Sequence, residues 1–157
     1  VLWFSPDISC PILKVESEFG TAGHRDKEGN MATEFTIVIQ DRPGALADLA
    51  EVLAQNAVNI LAIHASPCTG QGVVQFVTDS PDATIEALKD GGFDYTTNNV
   101  LVVGQVHQRG VLARLARALA NAGININAMY STVTGQLVLD VSDLSKAQQV
   151  AMSVGLY

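Results

Sequence analysis

The chain has 157 residues, 48% of them hydrophobic and 16% charged, with a net charge of −7. That balance excludes global disorder and argues against a nucleic-acid partner, because binding to a phosphate backbone rests on clustered Lys and Arg. No apolar run approaches the roughly 20 residues that span a bilayer, so no membrane partner is expected.

The opening VLWFSPDISC lacks the basic-then-apolar layout of a secretory signal. Cys10 and Cys68 are too few for a disulfide framework or a zinc site. Two ordinary thiols in a reducing, cytoplasmic setting are expected. The stretch 20–30, GTAGHRDKEGN, carries glycines and mixed charges without a period and reads as linker. Residues 1–32 are therefore set apart as an N-terminal extension. Either Met31 is the natural start and the preceding residues are upstream or appended sequence, or the arm packs on the fold through Trp3, Phe4, Ile12 and Leu13. In both cases the tail is expected to be dispensable for function.

Residues 34–40, EFTIVIQ, are rich in β-branched and aromatic types and predict a strand. From Gly44 to Gln55, leucines and alanines at 46, 49, 50, 53 and 54 mark one helical face, and Leu46, Leu49 and Leu53 are expected in the core. NILAIHAS and VVQFVT follow as a hairpin turning at Thr69–Gly72. His64, in an apolar strand, is expected to be a half-buried packing residue. Ser80-Pro81-Asp82 opens a second helix, with Ser80 as cap and Pro81 at the first position, and Gly91-Gly92 closes it. FDYTT then supplies a short last strand, giving the order βαββαβ.

The same order returns. A shift of 66 residues lays Gly44 on Gly110, Leu46 on Leu112, Leu49 on Leu115, Leu53 on Leu119, Asn59 on Asn125 and Ile60 on Ile126. A shift of 64 then lays Val77 on Val141, Asp79 on Asp143, Ala87 on Ala151 and Gly91 on Gly155. The second unit reads LVVGQV, a helix from Gly110 to Asn121, ININAMYST, QLVLDV and a helix from Leu144 to Ser153. Gly123 suits the left-handed turn after its first helix; in the first unit Asn56 is expected to take that turn. At Tyr157 the second unit's last strand should begin, so that strand is short or missing, or another segment fills the sheet edge. The fold class is α+β: two ferredoxin-like βαββαβ units, 33–98 and 99–157, with antiparallel sheets and helices on one face.

The stretch IVIQDRPGALADLAEVLAQNAVNI, with Asp41-Arg42-Pro43-Gly44-Ala45-Leu46 turning a strand into a helix and Asn59-Ile60 opening the next strand, closely resembles the ACT domain. The spacing from Gly44 to Asn59 equals that from Gly110 to Asn125, and 33–157 as a whole resembles a stand-alone tandem ACT protein. The resemblance implies a non-catalytic regulatory or sensor protein that binds an amino acid or similar small metabolite between ACT units. It also implies allosteric regulation and a homodimer, without a cofactor or metal. The implied ligand-binding positions are Asp41, Arg42, Pro43, Gly44, Ala45, Leu46, Asn59 and Ile60 in the first unit. In the second they are His107, Gln108, Gly110, Val111, Asn125, Ile126 and Asn127.

The chemistry has sense. A glycine at a helix start lets backbone approach a ligand, and the leading N–H groups with the helix dipole suit a carboxylate. Asp41 can hold an ammonium group, and Asn59 can donate and accept. Each residue also has a structural reading: Pro43-Gly44 as a turn, Asn59 and Asn125 as partners of backbone groups at a strand start. Asn127 falls on the same side of its strand as Asn125. In the second unit His107 replaces Asp41 and Arg109 replaces Pro43, so that loop favours a more anionic ligand or keeps only its structural job. Two alternatives remain. One is a small acylphosphatase-like hydrolase using Arg42 and Asn59, although the Gly-rich cradle of that family is absent. The other is a dimerisation module without ligand. His24, His64 and His107 have no catalytic spacing.

Overall fold

The computed structural model describes residues 31–104 and 108–156. In chain order these form β1 (Met31–Gln40), α1 (Ala45–Gln55), β2 (Ile60–Cys68), β3 (Gln71–Thr78), α2 (Pro81–Asp90) and β4 (Tyr95–Val103). Then follow α3 (Val111–Asn121), β5 (Ile126–Ser131), β6 (Leu137–Val141) and α4 (Leu144–Ser153). The N-terminal arm with Trp3, Phe4, Cys10, Ile12, Leu13 and His24 lies outside the described residues, as do His107 and Tyr157.

The six strands form one antiparallel sheet in the order β2-β3-β1-β4-β6-β5. The two units share its centre. FDYTT and LVVGQV, expected as separate strands, are largely one: β4 pairs with β1 along Tyr95–Leu101 and with β6 along Leu101–Val103. The boundary placed at 98/99 therefore falls within a strand. The open edge of the second unit is filled by β1, whose first residues Met31 and Ala32 pair with Leu101 and Val100. A ten-residue β1 is long enough to serve β3 with Glu34–Gln40 and β4 with Met31–Ile37. The outer strands also meet, through an Ala62–Thr132 bridge and a 2.9 Å bond from the Val133 N–H to the Leu61 carbonyl. The sheet thus curls until its two edges touch.

Alternation along the strands then makes two kinds of core. Phe35, Ile37, Val74 and Phe76 point outward and pack under Leu49, Leu53 and Leu88 of the helices. Leu101, Val103, Leu137 and Leu139 do the same under Leu115 and Leu119. Phe35 and Phe76 stack with centroids 5.6 Å apart. Between the units, Ala62, Val77, Val100, Tyr130 and Val138 form a third cluster that no helix enters.

The hairpin β2–β3 turns on Thr69 and Gly70, both at positive φ (48 and 80), the primed turn that matches strand twist. Several expectations need correction. Leu46 and Leu112 are each 42% exposed, because they lie on the flank of the buried stripe rather than within it. His64 is exposed, its ring stacked on Tyr130. Ser80 stands at the start of α2 but its side chain does not cap it. Ala57, not Asn56, takes the left-handed turn after α1 (φ 55), while the Asn56 side chain donates to the Val52 carbonyl at 2.9 Å.

The repeat register of the later half also shifts by one. Helix starts pair Ser80 with Asp143, left-handed glycines pair Gly92 with Gly155, and closing bonds pair Phe93 N–H to Leu88 O with Leu156 N–H to Ala151 O. These equivalences need a shift of 63, not 64. Alanine-rich helices match one another at several offsets, whereas caps and turns fix the backbone. None of the helices in the described residues is long and apolar enough to cross a membrane.

Candidate functional site

The loop from β1 into α1 turns at Gly44, where φ is +92, and its counterpart before α3 turns at Gly110, where φ is +82. A Cβ at Gly44 would meet nothing nearer than the Arg42 guanidinium at 3.5 Å, so the left-handed backbone is the reason for glycine there. Neither helix has a side-chain cap. In α4, by contrast, the Asp143 carboxylate accepts from the Lys146 N–H. The first N–H groups, of Ala45 and Val111, turn back to the Arg42 and Gln108 carbonyls at 3.3 and 3.2 Å, and no side chain caps those that follow.

Arg42 is held in place beside that start. Its Nη2 donates to Asp48 Oδ2 at 2.6 Å, Nη1 to the Pro43 carbonyl at 3.2 Å, and Nε to Gln40 Oε1 at 3.3 Å. The Arg42–Asp48 pair is about half exposed, so its own stability contribution is small; its effect is to fix a guanidinium in one orientation.

Next to this pair lies an open-sided groove of about 440 Å³. One wall is the end of β1 and the first turns of α1, with Ile39, Arg42, Ala45 and Asp48; the other is the turn after α2, Gly91 to Asp94. The two walls meet because α1 starts, and α2 ends, at the same end of β1. Gly91 allows the close approach: a Cβ there would sit 2.9 Å from Val52 Cγ1. Electrostatically the groove has two poles. Arg42, paired with Asp48 on its own wall, and the amino end of α1 make the positive one; Asp94 and the carboxyl end of α2 make the negative one.

Of the residues singled out from sequence, Arg42 and Ala45 line the groove. Asp41, Pro43 and Gly44 lie exposed on the adjoining loop, and Leu46 on the exposed flank of α1. Asn59 and Ile60 are not brought to it: α1 has 11 residues, so they stand about 16 Å away at its other end. There the Asn59 N–H donates to Asp79 Oδ1 and the Asp79 N–H to the Asn59 carbonyl, both at 3.1 Å. Asn125 makes the matching pair of 3.0 Å bonds with Ser142, and its side chain donates to Asn127 Oδ1. Ile60 and Ile126 pack on the helix-covered cores. The hydrolase alternative needs Arg42 and Asn59 together, and α1 holds them apart.

In the second unit Gln108 and Gly110 are exposed, and Val111 is buried in the core. His107 lies outside the described residues. The turn Gly91–Asp94 carries no signal in the sequence beyond a helix stop; its role depends on the packing of α2 beside α1.

Two strand–helix units on one shared sheet, with a bipolar groove at the start of the first helix, define a tandem ferredoxin-like protein. The family model described as an ACT domain pair matches residues 30–156, and the chain belongs to that family. Among solved structures it is similar to protein BT0572 from Bacteroides thetaiotaomicron, with 25% identity, a TM-score of 0.74, and coverage of 80% of this chain and 90% of that one. The regulatory subunit of aspartate kinase from Thermus thermophilus, in its ligand-free form, is similar at 20% identity and a TM-score of 0.60, covering 80% and 90%. Aspartokinase III of E. coli, in complex with lysine and aspartate, matches at 16% identity and a TM-score of 0.51, covering 80% of this chain and 30% of that one. No curated protein matches.

Proposed function

We propose that this chain is a non-catalytic regulatory protein that senses an amino acid or a similar small zwitterion. The observation that carries the reading is the bipolar groove between Arg42 and the Gly91–Asp94 turn. An α-amino acid presents a carboxylate and an ammonium group a few ångströms apart. The carboxylate meets Arg42 and the start of α1, which no side chain caps; the ammonium meets Asp94 on the opposite wall; Ile39, Val52 and Phe93 take an apolar side chain. The groove is open on one side, which leaves room for a second ACT unit to complete it, in keeping with binding between units. Membership of the ACT domain pair family supports a regulatory role, and the aspartate kinase regulatory subunit shows that similar folds occur in such proteins. Signalling would follow from population shift: a ligand bridging two units favours one arrangement over others.

A thermal-stability screen against the amino acids tests this. One or a few should raise the melting midpoint of the wild-type chain by mass action. The Arg42→Ala variant should lose that shift. A panel that leaves the wild-type midpoint unmoved at millimolar concentration contradicts the reading.

A further inference from the structure

The groove beside the start of α1 has an apolar end, and glycines bring its walls together. Ile39, Val52 and Phe93 are half-buried there and pack against the core of the first unit. Gly91 has φ −76, so no left-handed backbone calls for glycine at that place. The reason is space: a Cβ would sit 2.9 Å from Val52 Cγ1, 3.0 Å from Phe93 Cδ2 and 3.2 Å from the Ala87 carbonyl. Ile39 is wedged in the same way, since a Cβ on Gly72, its register partner on β3, would lie 3.1 Å from Ile39 Cγ1. The turn is also tied down: the Gly91 N–H donates to the Ala87 carbonyl and the Phe93 N–H to the Leu88 carbonyl, both at 2.9 Å. Walls packed this closely have little room to adapt.

The second unit is filled from the other side. Val154 ends α4 where Gly91 ends α2, and Ala118 stands in α3 where Val52 stands in α1. Bulk has moved from the helix to the turn. The fold therefore does not itself require Val52 against Gly91, because α3 and α4 are built with other residues. Gln108 and Arg114 at the same time replace Arg42 and Asp48.

In the first unit polar and apolar parts are stacked. Ala45, Asp48 and Val52 fall on one face of α1, with Val52 about 6 Å beyond Asp48 along the axis. Asp94 next to Phe93 repeats that order on the facing wall. The charged residues of the lining are Arg42, Asp48 and Asp94. Arg42 and Asp94 answer the two charges of an amino-acid backbone, and Asp48 is paired with Arg42. A charged ligand side chain against Val52 and Phe93 would lose water without gaining a partner, whereas an aliphatic one would bury its surface.

Resting on the reading that this groove holds an amino acid, we propose that its ligand class is the branched aliphatic amino acids. Val52, held by Gly91, selects among them by size. In a pocket whose walls do not yield, one methylene too many or too few is worth about 10- to 200-fold.

Calorimetric titration of the full chain with L-alanine, L-valine, L-isoleucine, L-leucine, L-phenylalanine, L-lysine and L-glutamate tests this. One of the three branched aliphatic amino acids should bind most tightly, with lysine and glutamate weaker by about tenfold or more. Val52→Ala should raise the leucine-to-valine affinity ratio by about tenfold, and Val52→Ile should lower it. Both variants should keep binding, unlike Arg42→Ala, because they change selection and leave the polar poles in place. Tightest binding of any other amino acid, a ratio that neither Val52 variant moves, or loss of all binding in both would overturn the proposal and leave the sensing reading standing. A wild-type chain that binds no amino acid would overturn both.

Discussion

The Tyr130 hydroxyl, on β5 of the second unit, donates a 2.6 Å hydrogen bond to the carboxylate of Glu34, on β1 of the first. Glu34 is only 1% exposed, and its other oxygen accepts from Gln75 Nε2 at 3.2 Å. The contact belongs to a polar belt to which every strand adds one residue. His64 is paired in register with Gln75 and stacked on Tyr130, Glu34 is paired in register with Asn98, and Asn98 donates to Asp140 at 3.0 Å. The belt crosses the seam between the units, so their relative placement and the state of one buried carboxyl are linked.

Burial pushes the Glu34 carboxyl above its ordinary value, against the opposing hydrogen bond from Tyr130, with Asp140 adding to the rise. A raised folded value means that the native state holds this proton more tightly than the unfolded chain. The stabilisation is therefore fully present below the ordinary glutamate range and is lost as pH rises through the folded value. Glu34→Gln should gain stability relative to wild type over that same rise. Urea unfolding across a pH series checks it; a pH-independent difference contradicts it.

Tyr130→Phe removes the donor and leaves a buried carboxylate with Gln75 alone. At neutral pH this should destabilise by about 1.5–3 kcal/mol, the range for a hydrogen bond to a charged group. Glu34→Gln combined with Tyr130→Phe should show a smaller second loss, which a double-mutant cycle reads directly.

Leu49→Ala and Leu115→Ala, at fully buried positions, should cost about 2–5 kcal/mol. Leu46→Ala and Leu112→Ala should cost about 0.5 kcal/mol or less in the monomer. Chemical denaturation at low protein concentration separates the two pairs, although all four leucines look alike in the repeat.

At Gly44 and Gly110 any L side chain must adopt a left-handed backbone. Gly44→Ala and Gly110→Ala should each cost about 1–2 kcal/mol, and asparagine in either place should cost less. Equal losses for alanine and asparagine would contradict a conformational cause.

Much of the fold was legible in the sequence because its signals are local. Leu49 and Leu53, Leu115 and Leu119 recur at helical spacing and are buried. Thr69-Gly70 marks a tight hairpin, and Gly123 the end of a helix. What was missed depends on assembly. FDYTT and LVVGQV read as separate strands, yet β4 runs through the residues between them because β1 pairs on one side and β6 follows on the other. The double use of β1 needs the second unit already in place. Leu46 counts toward a hydrophobic stripe by spacing alone, and only the position of the sheet beneath α1 leaves it outside. In the candidate site, Arg42 and Ala45 were legible from the loop motif, whereas Gly91–Asp94 reaches the groove only through the packing of two helices. Asn59 has the spacing of a partner to Gly44 but stands at the far end of α1.

The sensing account rests on where a ligand binds. Backbone amide shift mapping by NMR, with the amino acid that gives the largest thermal shift, tests it most directly. The account predicts saturable changes concentrated on residues 40–48 and 91–94, and their loss in Arg42→Ala. Changes centred instead on 108–112 and 154–156, or none that saturate, would contradict it.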